Sequence, residues 1–401
     1  MSILSVNIGS SSLKFALYET AANGIGALLG SGQMDGLQPG GTPQWRWQSG
    51  TDAGGGALPC RNTDTPHTDA LRVLQQWLAE HFPAAKLHAV AHRVVHGGGV
   101  FGGAVVVDEQ VLAQLHTFER LAPLHQPYNL AGIARFQAAF AAVPQVACFD
   151  TAFHSTLPPQ ETTFALPEAD RAAGIRRYGF HGLSYQYVCA HMLAASPRAH
   201  GRMIMLHLGS GSSACATVNG QSTASSMGFT ALDGLMMGSR CGSLDAGVLL
   251  HWLAEGADAE AIERKLYKES GLLGVSGLSA DVRRLRAAAD QGHAGARLAL
   301  QLYSYRVRRE IGALAACIGG VDVLVFTAGI GENDAVLRAE VVQSLGWLGM
   351  RLDTQANEAA AHGIRAIHAA DSSVEVWVCP TDEGRNAAGQ AWALLQAGQA
   401  Q

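Results

Sequence analysis

The chain of 401 residues is 48% apolar and 15% charged, a composition typical of a folded globular protein with room for two domains. Its 28 basic and 33 acidic residues leave a net charge of −5 without a basic block, so nucleic acid is not an expected partner. No apolar run suggests membrane insertion or export. Seven scattered cysteines, odd in number and never closely paired, predict reduced thiols and a cytoplasmic location.

Two segments share an unusual order of elements. ILSVNIGSSSLKFALY (3–18) and IMLHLGSGSSACATVNG (204–220) each place an apolar run, a Gly/Ser turn and a second apolar run. Period-two alternation predicts strands, and Asn219-Gly220 predicts a further hairpin turn. A Gly/Ser tip offers backbone N–H groups and hydroxyls without bulky side chains, which suits a phosphate. An ordinary tight turn explains either copy alone, but two copies, each opening a half of the chain, favour phosphate binding.

The glycines of the second segment also fit a dinucleotide pattern, Gly209, Gly211 and then Ala214. That fold requires a helix after the turn, whereas here a second apolar run follows. A dinucleotide oxidoreductase is therefore nearly excluded. The chain also has no GxxxxGK[ST] motif, so any ATP is bound without a P-loop.

The remaining patterns predict an alternation of helices and strands. Residues 30–68 are rich in Gly, Pro, Thr and Asp and predict a loop with at most one short strand pair. TAGIGEN (327–333) reads as a flexible turn between a strand and a helix from Ala335. This alternation predicts two duplicated α/β domains around a cleft. Helices are expected at 69–81, 109–119, ahead of QVACFD (145–150), and at 182–194, 245–254, 259–268 and 294–317; strands are expected within LHAVAHRVVHGGG (87–99), QVACFD, VDVLVF (321–326) and VEVWVCP (374–380).

Three cations could meet the phosphates. Lys14 follows the first tip, Arg93 lies in AHRVVHGGG, and Arg240 lies in LMMGSRCGS. Arginine suits planar, bidentate binding of carboxylate or phosphate, and a glycine-rich surrounding gives it few packing roles. The alternative for each is a surface ion pair.

Two carboxylates lie at predicted strand ends, where the functional residues of α/β folds concentrate. Asp150 ends QVACFD and Glu383 follows VEVWVCP. Their oxygens suit Mg²⁺, which keeps most of its waters and shares the phosphates of a nucleotide. A helix N-cap is the alternative role for Asp150, and a first-turn acid that opposes the helix dipole is the alternative for Glu383.

Four histidines stand out. His92 and His96 share one face of a strand but lack a third ligand, so we do not expect a metal site there. His125 in PLHQPYN and His181 in YGFHGLSY lie in stretches with little regular pattern. Their imidazoles could donate to a phosphoryl oxygen, with a core histidine as the alternative.

Eight motifs, in order and across essentially the whole chain, resemble the acetate kinase family of the acetate and sugar kinase, chaperone and actin superfamily. They are VNIGSSSLKFALYE, AHRVVHGGG, LAPLHQPYN, FDTAFHSTLP, RRYGFHGLS, SMGFTALDGLMMGSRCG, GLLGVSGLS and FTAGIGEN. The resemblance implies an α/β fold of two duplicated ribonuclease H-like (actin-like ATPase) domains around an interdomain cleft, with the hairpins holding phosphates from opposite walls. The domains would span 1–150 and 151–384, with a C-terminal helix at 385–401 that packs back on the first.

The resemblance further implies reversible transfer of the γ-phosphoryl group of ATP to acetate, giving acetyl phosphate and ADP, with Mg²⁺ or Mn²⁺ and as a homodimer. Arg93 and Arg240 match the family's pair that holds acetate and the transferring group, and Asp150 matches its essential aspartate. His181 matches a histidine that contacts the phosphoryl group, and His125 a supporting histidine.

The binding residues carry over in the same way. Those near magnesium would be Asn7 and Glu383. The phosphate hairpins would contribute Ser10, Ser12, Lys14, His207, Gly209, Ser210 and Gly211. Adenosine would be surrounded by Asp281, Arg283, Gly329, Ile330, Gly331 and Asn333. The apolar pocket for the methyl group of acetate would be formed by Val95, Leu124 and Phe180, with Ala231 beside them.

The chain departs from the family's pattern at several positions. Ser210 stands where the family has asparagine, so one amide donor to the ATP phosphates is missing. Ala224 replaces an aspartate, Ser243 and Ala246 alter the usual SGDxDP, and TDEGRNAA is only loosely like TNEE. Ala231 stands where the methyl pocket receives a proline. A propionate or butyrate kinase, which would differ only in pocket volume, and a nucleotide-gated chaperone or filament protein, which would share only the hairpins, remain as alternatives.

Overall fold

The structure is a computed structural model that describes residues 1–22, 24–60 and 66–399. It divides into two compact units: unit 1 comprises Met1–Phe153 and Asp382–Gln401, and unit 2 comprises His154–Thr381. The domain boundaries expected from the sequence were at residues 150 and 384. Residues 61–65 of the predicted loop and the last two residues of the predicted C-terminal helix lie outside the described residues.

The strands form one sheet in each unit. In unit 1 they are β1 (Ser2–Ile8), β2 (Ser12–Ala21), β3 (Gly24–Asp35), β4 (Gln44–Ser49), β5 (Asp52–Ala57), β6 (Leu87–Val94), β7 (Val105–Val106) and β8 (Gln145–Phe149). In unit 2 they are β9 (Arg202–Leu208), β10 (Ser212–Val218), β11 (Gln221–Ser225), β12 (Val323–Thr327), β13 (Arg365–Ala366) and β14 (Glu375–Val378).

The helices lie between the strands and after the last one. They are α1 (Pro66–His81), α2 (Glu109–His116), α3 (Gln126–Ala139), α4 (Pro159–Thr162), α5 (Glu168–Ala172), α6 (Gly182–Ala195), α7 (Ala246–Ala254), α8 (Ala259–Lys268), α9 (Gly271–Ser276), α10 (Val282–Asp290), α11 (Ala294–Ile318), α12 (Ala328–Asn333), α13 (Ala335–Ser344), α14 (Thr354–Glu358) and α15 (Glu383–Gln399). No helix of the described residues is long and apolar enough to cross a membrane.

The two sheets repeat one topology. Unit 1 has the order β5-β4-β3-β2-β1-β6-β8-β7, and unit 2 has the order β11-β10-β9-β12-β14-β13. In each unit the first strand of the hairpin pairs antiparallel with the second and parallel with a later strand, β6 or β12. Both sheets continue with a further parallel strand, β8 or β14. This repeat agrees with the duplicated α/β organisation that the sequence predicts.

Both cores are built on these sheets. In unit 1, Trp77 of α1 is buried against Phe15 of β2, with ring centroids 5.1 Å apart. Helix α15 packs on β1 and β6, and Arg385 donates to the carbonyls of Ile25 and Gly26 at 3.1 and 2.8 Å. In unit 2, the long helix α11 covers β10 and buries Tyr303. In each unit the packed sheet therefore positions the loops at its strand ends.

Two segments have more regular structure than the sequence predicts. Residues 30–68 contain the end of β3 and the hairpin β4–β5, whose Trp45 and Trp47 are half-buried. TAGIGEN is not a flexible turn but contains the short helix α12, because the buried Arg338 binds the carbonyls of Gly331 and Glu332 at 2.9 and 2.8 Å. The sequence pattern could not show which carbonyls this arginine binds.

Candidate active site

The first hairpin closes with a tight turn. The backbone N–H of Gly9 donates to Ser12 O at 2.9 Å, which leaves Ser10 exposed at the tip. Asn7 and Lys14 are directly opposite each other on β1 and β2, so their side chains lie on the same face of the sheet. A half-buried amide and an exposed ammonium thus accompany the backbone and hydroxyl donors of the tip.

An ion cluster joins the ends of two parallel strands and a helix. Arg93, on β6, donates through Nε to both oxygens of Asp150 at 3.1 Å and through Nη2 to Oδ2 at 2.7 Å. Its Nη1 donates to Oε2 of Glu383 at 2.5 Å. Burial disfavours the Arg93 cation, but the two carboxylates outweigh burial and raise its pKa. Arg93 is therefore a fixed cation.

The backbone explains why these three side chains meet. Strands β6 and β8 are parallel and in register at Arg93 and Cys148, so Asp150 follows β8 beside the end of β6. Its backbone N–H donates to Val94 O at 3.0 Å. Glu383 is the first residue of α15, and it is both the first-turn acid of that helix and a partner of Arg93. The helix begins two residues earlier than the sequence predicts, at 383 rather than 385.

Helix α3 begins inside the motif LAPLHQPYN. His125 is its N-cap residue, Pro127 lies in the first turn, and Leu124 precedes it, half-buried. Asn129 of this helix donates to Ile8 O at 2.6 Å and accepts from the N–H of Val95 at 3.1 Å. Asn129 thereby ties the last residue of β1, next to the tip of the first hairpin, to the residue after β6. Sequence reasoning did not single it out, because its role depends on two backbone groups far away in the chain.

The histidine pair at 92 and 96 has structural partners. His92 Nε2 is 2.8 Å from Gln145 Oε1, and His96 Nδ1 accepts from the N–H of Gly98 at 2.8 Å. Burial lowers the pKa of each to about 4. Both imidazoles are thus neutral groups of the interior of unit 1.

The second hairpin, in unit 2, carries two stacked imidazoles. Gly209 N–H donates to Gly211 O at 3.0 Å and closes the tip. His181, in the left-handed conformation at φ 58°, stacks on His207 with centroids 4.1 Å apart and planes 21° apart. A Cβ on Gly211 would lie 3.3 Å from His181 Nε2, and one on Gly209 would lie 3.8 Å from His207 Nε2. Both Nε2 atoms therefore border the glycines of the tip.

Arg240 contrasts with Arg93. Its Nη1 donates to Ala231 O at 3.0 Å, and its guanidinium lies 5.9 Å from the centre of the Tyr267 ring. Within the described residues no carboxylate lies within ion-pair distance of it. Burial, only partly opposed by Tyr267, lowers the pKa of Arg240, yet an arginine stays protonated at neutral pH. Arg240 thus carries a half-buried positive charge that is ready for an anion.

The loop of Arg240 is attached to the second tip. Ser210 O accepts the N–H of Gly238 at 3.0 Å, and Gly238 O accepts the N–H of Leu273 at 2.9 Å. Because the bond uses the backbone of Ser210, it does not depend on the side chain at this position.

The residues expected around adenosine lie at two helix starts of unit 2. Asp281 is the N-cap of α10, and a bidentate contact from Arg283, at 3.0 and 2.7 Å, lowers its pKa to about 2. Gly329, Ile330 and Gly331 lie in α12, where Asn333 donates to Gly329 O at 2.8 Å. Phe180 is buried and Ala231 half-buried, while Val95 is a half-buried residue of unit 1.

The comparisons with known proteins agree with this architecture. The sequence profile of the acetokinase family matches residues 2–388. The chain is 47% identical over 409 aligned residues to a protein of Rhodopseudomonas palustris named acetate kinase, covering 99% of each chain. Among solved structures it resembles Porphyromonas gingivalis acetate kinase, with TM-score 0.88, 35% identity and 98% and 99% coverage. It also resembles a propionate kinase from Francisella tularensis, with TM-score 0.90, 34% identity and 97% and 98% coverage.

These matches confirm the predicted fold class, an α/β protein with two sheets of the actin-like ATPase type. The chain belongs to the acetokinase family.

The ion cluster of Arg93 makes a testable contribution to stability. In Arg93→Met two carboxylates lose their counter-charge, and Asp150 has a side chain only 3% exposed. We expect the free energy of unfolding in urea to fall by roughly 3–5 kcal/mol, and Asp150→Asn in the same chain to restore part of it. In the control, Arg283→Met, the side chain lost is 90% exposed, and the midpoint of urea unfolding should hardly change. Equal losses for both arginines would contradict a structural cluster.

Proposed function

We propose that this chain catalyses reversible, in-line transfer of the γ-phosphoryl group of ATP to acetate, giving acetyl phosphate and ADP. The observation that carries the proposal is Arg240, a half-buried guanidinium anchored by one carbonyl and without a carboxylate partner among the described residues. Membership of the acetokinase family and the acetate kinases among its relatives support the same activity. A chaperone or filament protein would not need such a cation.

The chemistry asks little of the protein besides charge and position. A carboxylic acid such as acetate has a pKa of roughly 4 to 5, by analogy with side-chain carboxyls, so at neutral pH it is already a nucleophile. No general base is needed. Catalysis then consists of aligning two anions and stabilising the charge on the equatorial oxygens of the transferring group.

The charged residues divide this work. Arg240 would bind the carboxylate or the transferring phosphoryl group, and His181 would donate to a phosphoryl oxygen. Arg93 keeps a second N–H on each of Nη1 and Nη2 beyond those that bind Asp150 and Glu383, and these can meet an anion. Asp150 would orient Arg93 rather than act as a base, and His125 would support the site as the N-cap residue of α3.

The first unit also has ligands suited to Mg²⁺ or Mn²⁺. Asp150, Glu383 and the amide of Asn7 are oxygen donors, and the ion cluster has two carboxylates against one guanidinium. Mg²⁺ is held by one or two carboxylates plus waters and phosphates, so this set fits it. Asn7, Asp150 and Glu383 would hold the metal. When bound, it would neutralise part of the charge on the phosphates. Because its ligands are oxygens, the site does not require histidine or cysteine.

The nucleotide would use the tips of the hairpins and the helix starts described above. Ser10, Ser12 and Lys14 in unit 1 and His207, Gly209 and Gly211 in unit 2 are proposed to bind phosphates. Asp281, Arg283, Gly329, Ile330, Gly331 and Asn333 are proposed to surround adenosine. Ser210 contributes its backbone to the fold of the tip, and its hydroxyl is a smaller donor than the amide of asparagine.

Acyl phosphate formation tests the proposed function directly. With acetate, ATP and Mg²⁺ together we expect a product that hydroxylamine converts to a hydroxamate, because the carboxylate attacks the γ-phosphorus. Reactions without acetate or without the divalent cation are the controls. ATP hydrolysis at the same rate with and without acetate would overturn the proposal.

Loss of Arg240 should slow the chemical step. Arg240→Ala is expected to lower kcat about a hundredfold or more, since loss of one preorganised donor to the transition state typically costs roughly 3 to 4 kcal/mol. Arg264→Ala, which removes an arginine with a 57% exposed side chain from the same unit, is the matched control and should have near-normal kcat. If Arg240→Ala changed only KM, Arg240 would be a binding group and the mechanism would be wrong.

Propionate is the second candidate substrate, and Ala231 favours it. Replacing a proline ring by a methyl removes about two carbons from one wall of a methyl pocket proposed to include Phe180 of the same unit. Burial of one methylene stabilises binding by about 0.8 kcal/mol. A tight pocket discriminates between substrates that differ by one methylene by roughly 1 to 3 kcal/mol. A solved relative named propionate kinase has the same fold.

We therefore expect kcat/KM for propionate within about tenfold of that for acetate, with butyrate slower. Ala231→Pro should restore the preference for acetate, and because proline keeps the carbonyl that binds Arg240, kcat for acetate should persist. Kinetics with the three acids in both chains measure this. If propionate is already a hundredfold poorer, or if proline leaves the ratio unchanged, Ala231 does not set specificity.

We also propose a homodimer, with helix α7 as part of its interface. This helix reads AGVLLHWLA and has no buried residue; Leu250 and Leu253 are 67% and 51% exposed. Contiguous exposed apolar side chains of this kind mark association surfaces. By light scattering we expect a dimer that Leu250→Glu converts to a monomer, while Leu166→Glu, at a position 52% exposed, leaves it intact. A monomeric native chain would contradict the proposal.

A further inference from the structure

A chain of polar side chains runs from the interior of unit 2 to His181. Ser213, on β10, is fully buried, and its Oγ is 2.8 Å from His181 Nδ1 and 2.5 Å from the hydroxyl of Tyr185 on α6. Tyr185 is also fully buried. The buried hydroxyl of Ser213 thus connects the buried hydroxyl of Tyr185 to Nδ1 of His181.

We propose that Tyr185 and Ser213 form a hydrogen-bond relay that fixes the tautomer of His181, with the hydrogen on Nε2. Tyr185 would donate to Ser213 Oγ, and Ser213 would donate to His181 Nδ1. Since Nδ1 then accepts, the neutral imidazole carries its hydrogen on Nε2. Tyr185 and Ser213 are positioning residues for the proposed function, on which this inference rests.

The surroundings of the Tyr185 hydroxyl support the proposed direction of the relay. The phenol oxygen of Tyr185 accepts the backbone N–H of His207. Burial, the largest cause, raises the pKa of Tyr185 well above its ordinary value, so the phenol keeps its hydrogen. The hydroxyls of Tyr185 and Ser213 are 2.5 Å apart, so one of them donates to the other; with the phenol as the donor, as proposed, the single hydrogen of the serine is available for His181 at 2.8 Å.

The outer end of the relay has the chemistry that phosphoryl transfer needs. His181 Nε2 borders the tip glycine Gly211, at the hairpin proposed to bind phosphate. An Nε2–H there is a donor to a phosphoryl oxygen, whereas the opposite tautomer would direct a lone pair at an anion. The stack with His207, at 4.1 Å, further holds the plane of the ring. The buried hydroxyls therefore select the catalytically useful form.

The experiment reads the tautomer without turnover. In protein with ¹⁵N-labelled histidine, the two-bond ¹H–¹⁵N correlations distinguish protonated from unprotonated ring nitrogens, and His181→Gln assigns the signals among the 16 histidines. We expect protonated Nε2 in the native chain, a mixture of tautomers in Ser213→Ala, a partial change in Tyr185→Phe, and the native pattern in Ser213→Thr. Native Nδ1 protonation, or no change in Ser213→Ala, would overturn the relay.

A matched pair in the same unit controls for loss of a buried hydroxyl. Tyr303 is 1% exposed, and its hydroxyl is 2.8 Å from Ser212 Oγ, the neighbouring residue on β10. Tyr303→Phe removes the same atom from a similar pair that contains no histidine, so the tautomer of His181 should stay native. A change equal to that of Tyr185→Phe would show a general loosening of the strand and would also overturn the relay.

Kinetics separate this inference from the proposed function. Ser213→Ala should lower kcat for acyl phosphate formation about tenfold or more with KM for ATP nearly unchanged, and Ser213→Thr should rescue kcat. If the tautomer results are as expected but the chain makes no acyl phosphate, the relay is supported and the proposed function is wrong. Normal kcat in Ser213→Ala would leave the function standing and the relay wrong.

Discussion

The guanidinium of Arg93, held between Asp150 and Glu383, is the interaction on which the first unit depends. It joins the end of β6, the residue after β8 and the first residue of α15, positions separated by 57 and 290 residues in the chain. One positive charge faces two negative charges, so the cluster has a net negative charge of one. That excess of negative charge is the feature on which the proposed divalent-cation site rests.

The second unit has an arginine without a compensating carboxylate. Arg240 is anchored by the carbonyl of Ala231 and by contact with Tyr267, and its charge is not compensated by a carboxylate in the described chain. Such a charge is costly unless an anion meets it, since burial without a partner disfavours the cation. Two arginines in similar glycine-rich surroundings therefore have different roles. Arg93 is part of a fixed framework, whereas Arg240 carries a charge that no carboxylate of the described chain compensates.

The sequence predicted the elements whose patterns are local. Alternation and the Asn219-Gly220 turn predicted both hairpins, and the structure has positive φ at both turn residues. Helix α11 and the strands β8 and β12 also follow from periodicity and apolar runs. These elements could be predicted because each depends on residues that are close together in the sequence.

The missed features depend on distant partners. Helix α12 is held by Arg338, whose target carbonyls no periodicity shows. The start of α3 and the role of Asn129 depend on Ile8 and Val95. The resemblance implied that the C-terminal helix returns to the first unit, but not that Glu383 at its start pairs with Arg93. The contacts of Tyr185, Ser213 and His181 depend on the packing of α6 beside β10. The sequence therefore indicated candidate site residues by type, but it could not show which groups they contact.

The central claim is that a carboxylate attacks phosphorus directly. Acetate labelled with ¹⁸O in both oxygens, incubated with ATP and Mg²⁺, tests it by mass spectrometry of the acyl phosphate. The account predicts that both labels remain in the product, one of them in the bridge to phosphorus, because no acyl C–O bond breaks. Loss of one label, or formation of inorganic phosphate alone, would contradict it.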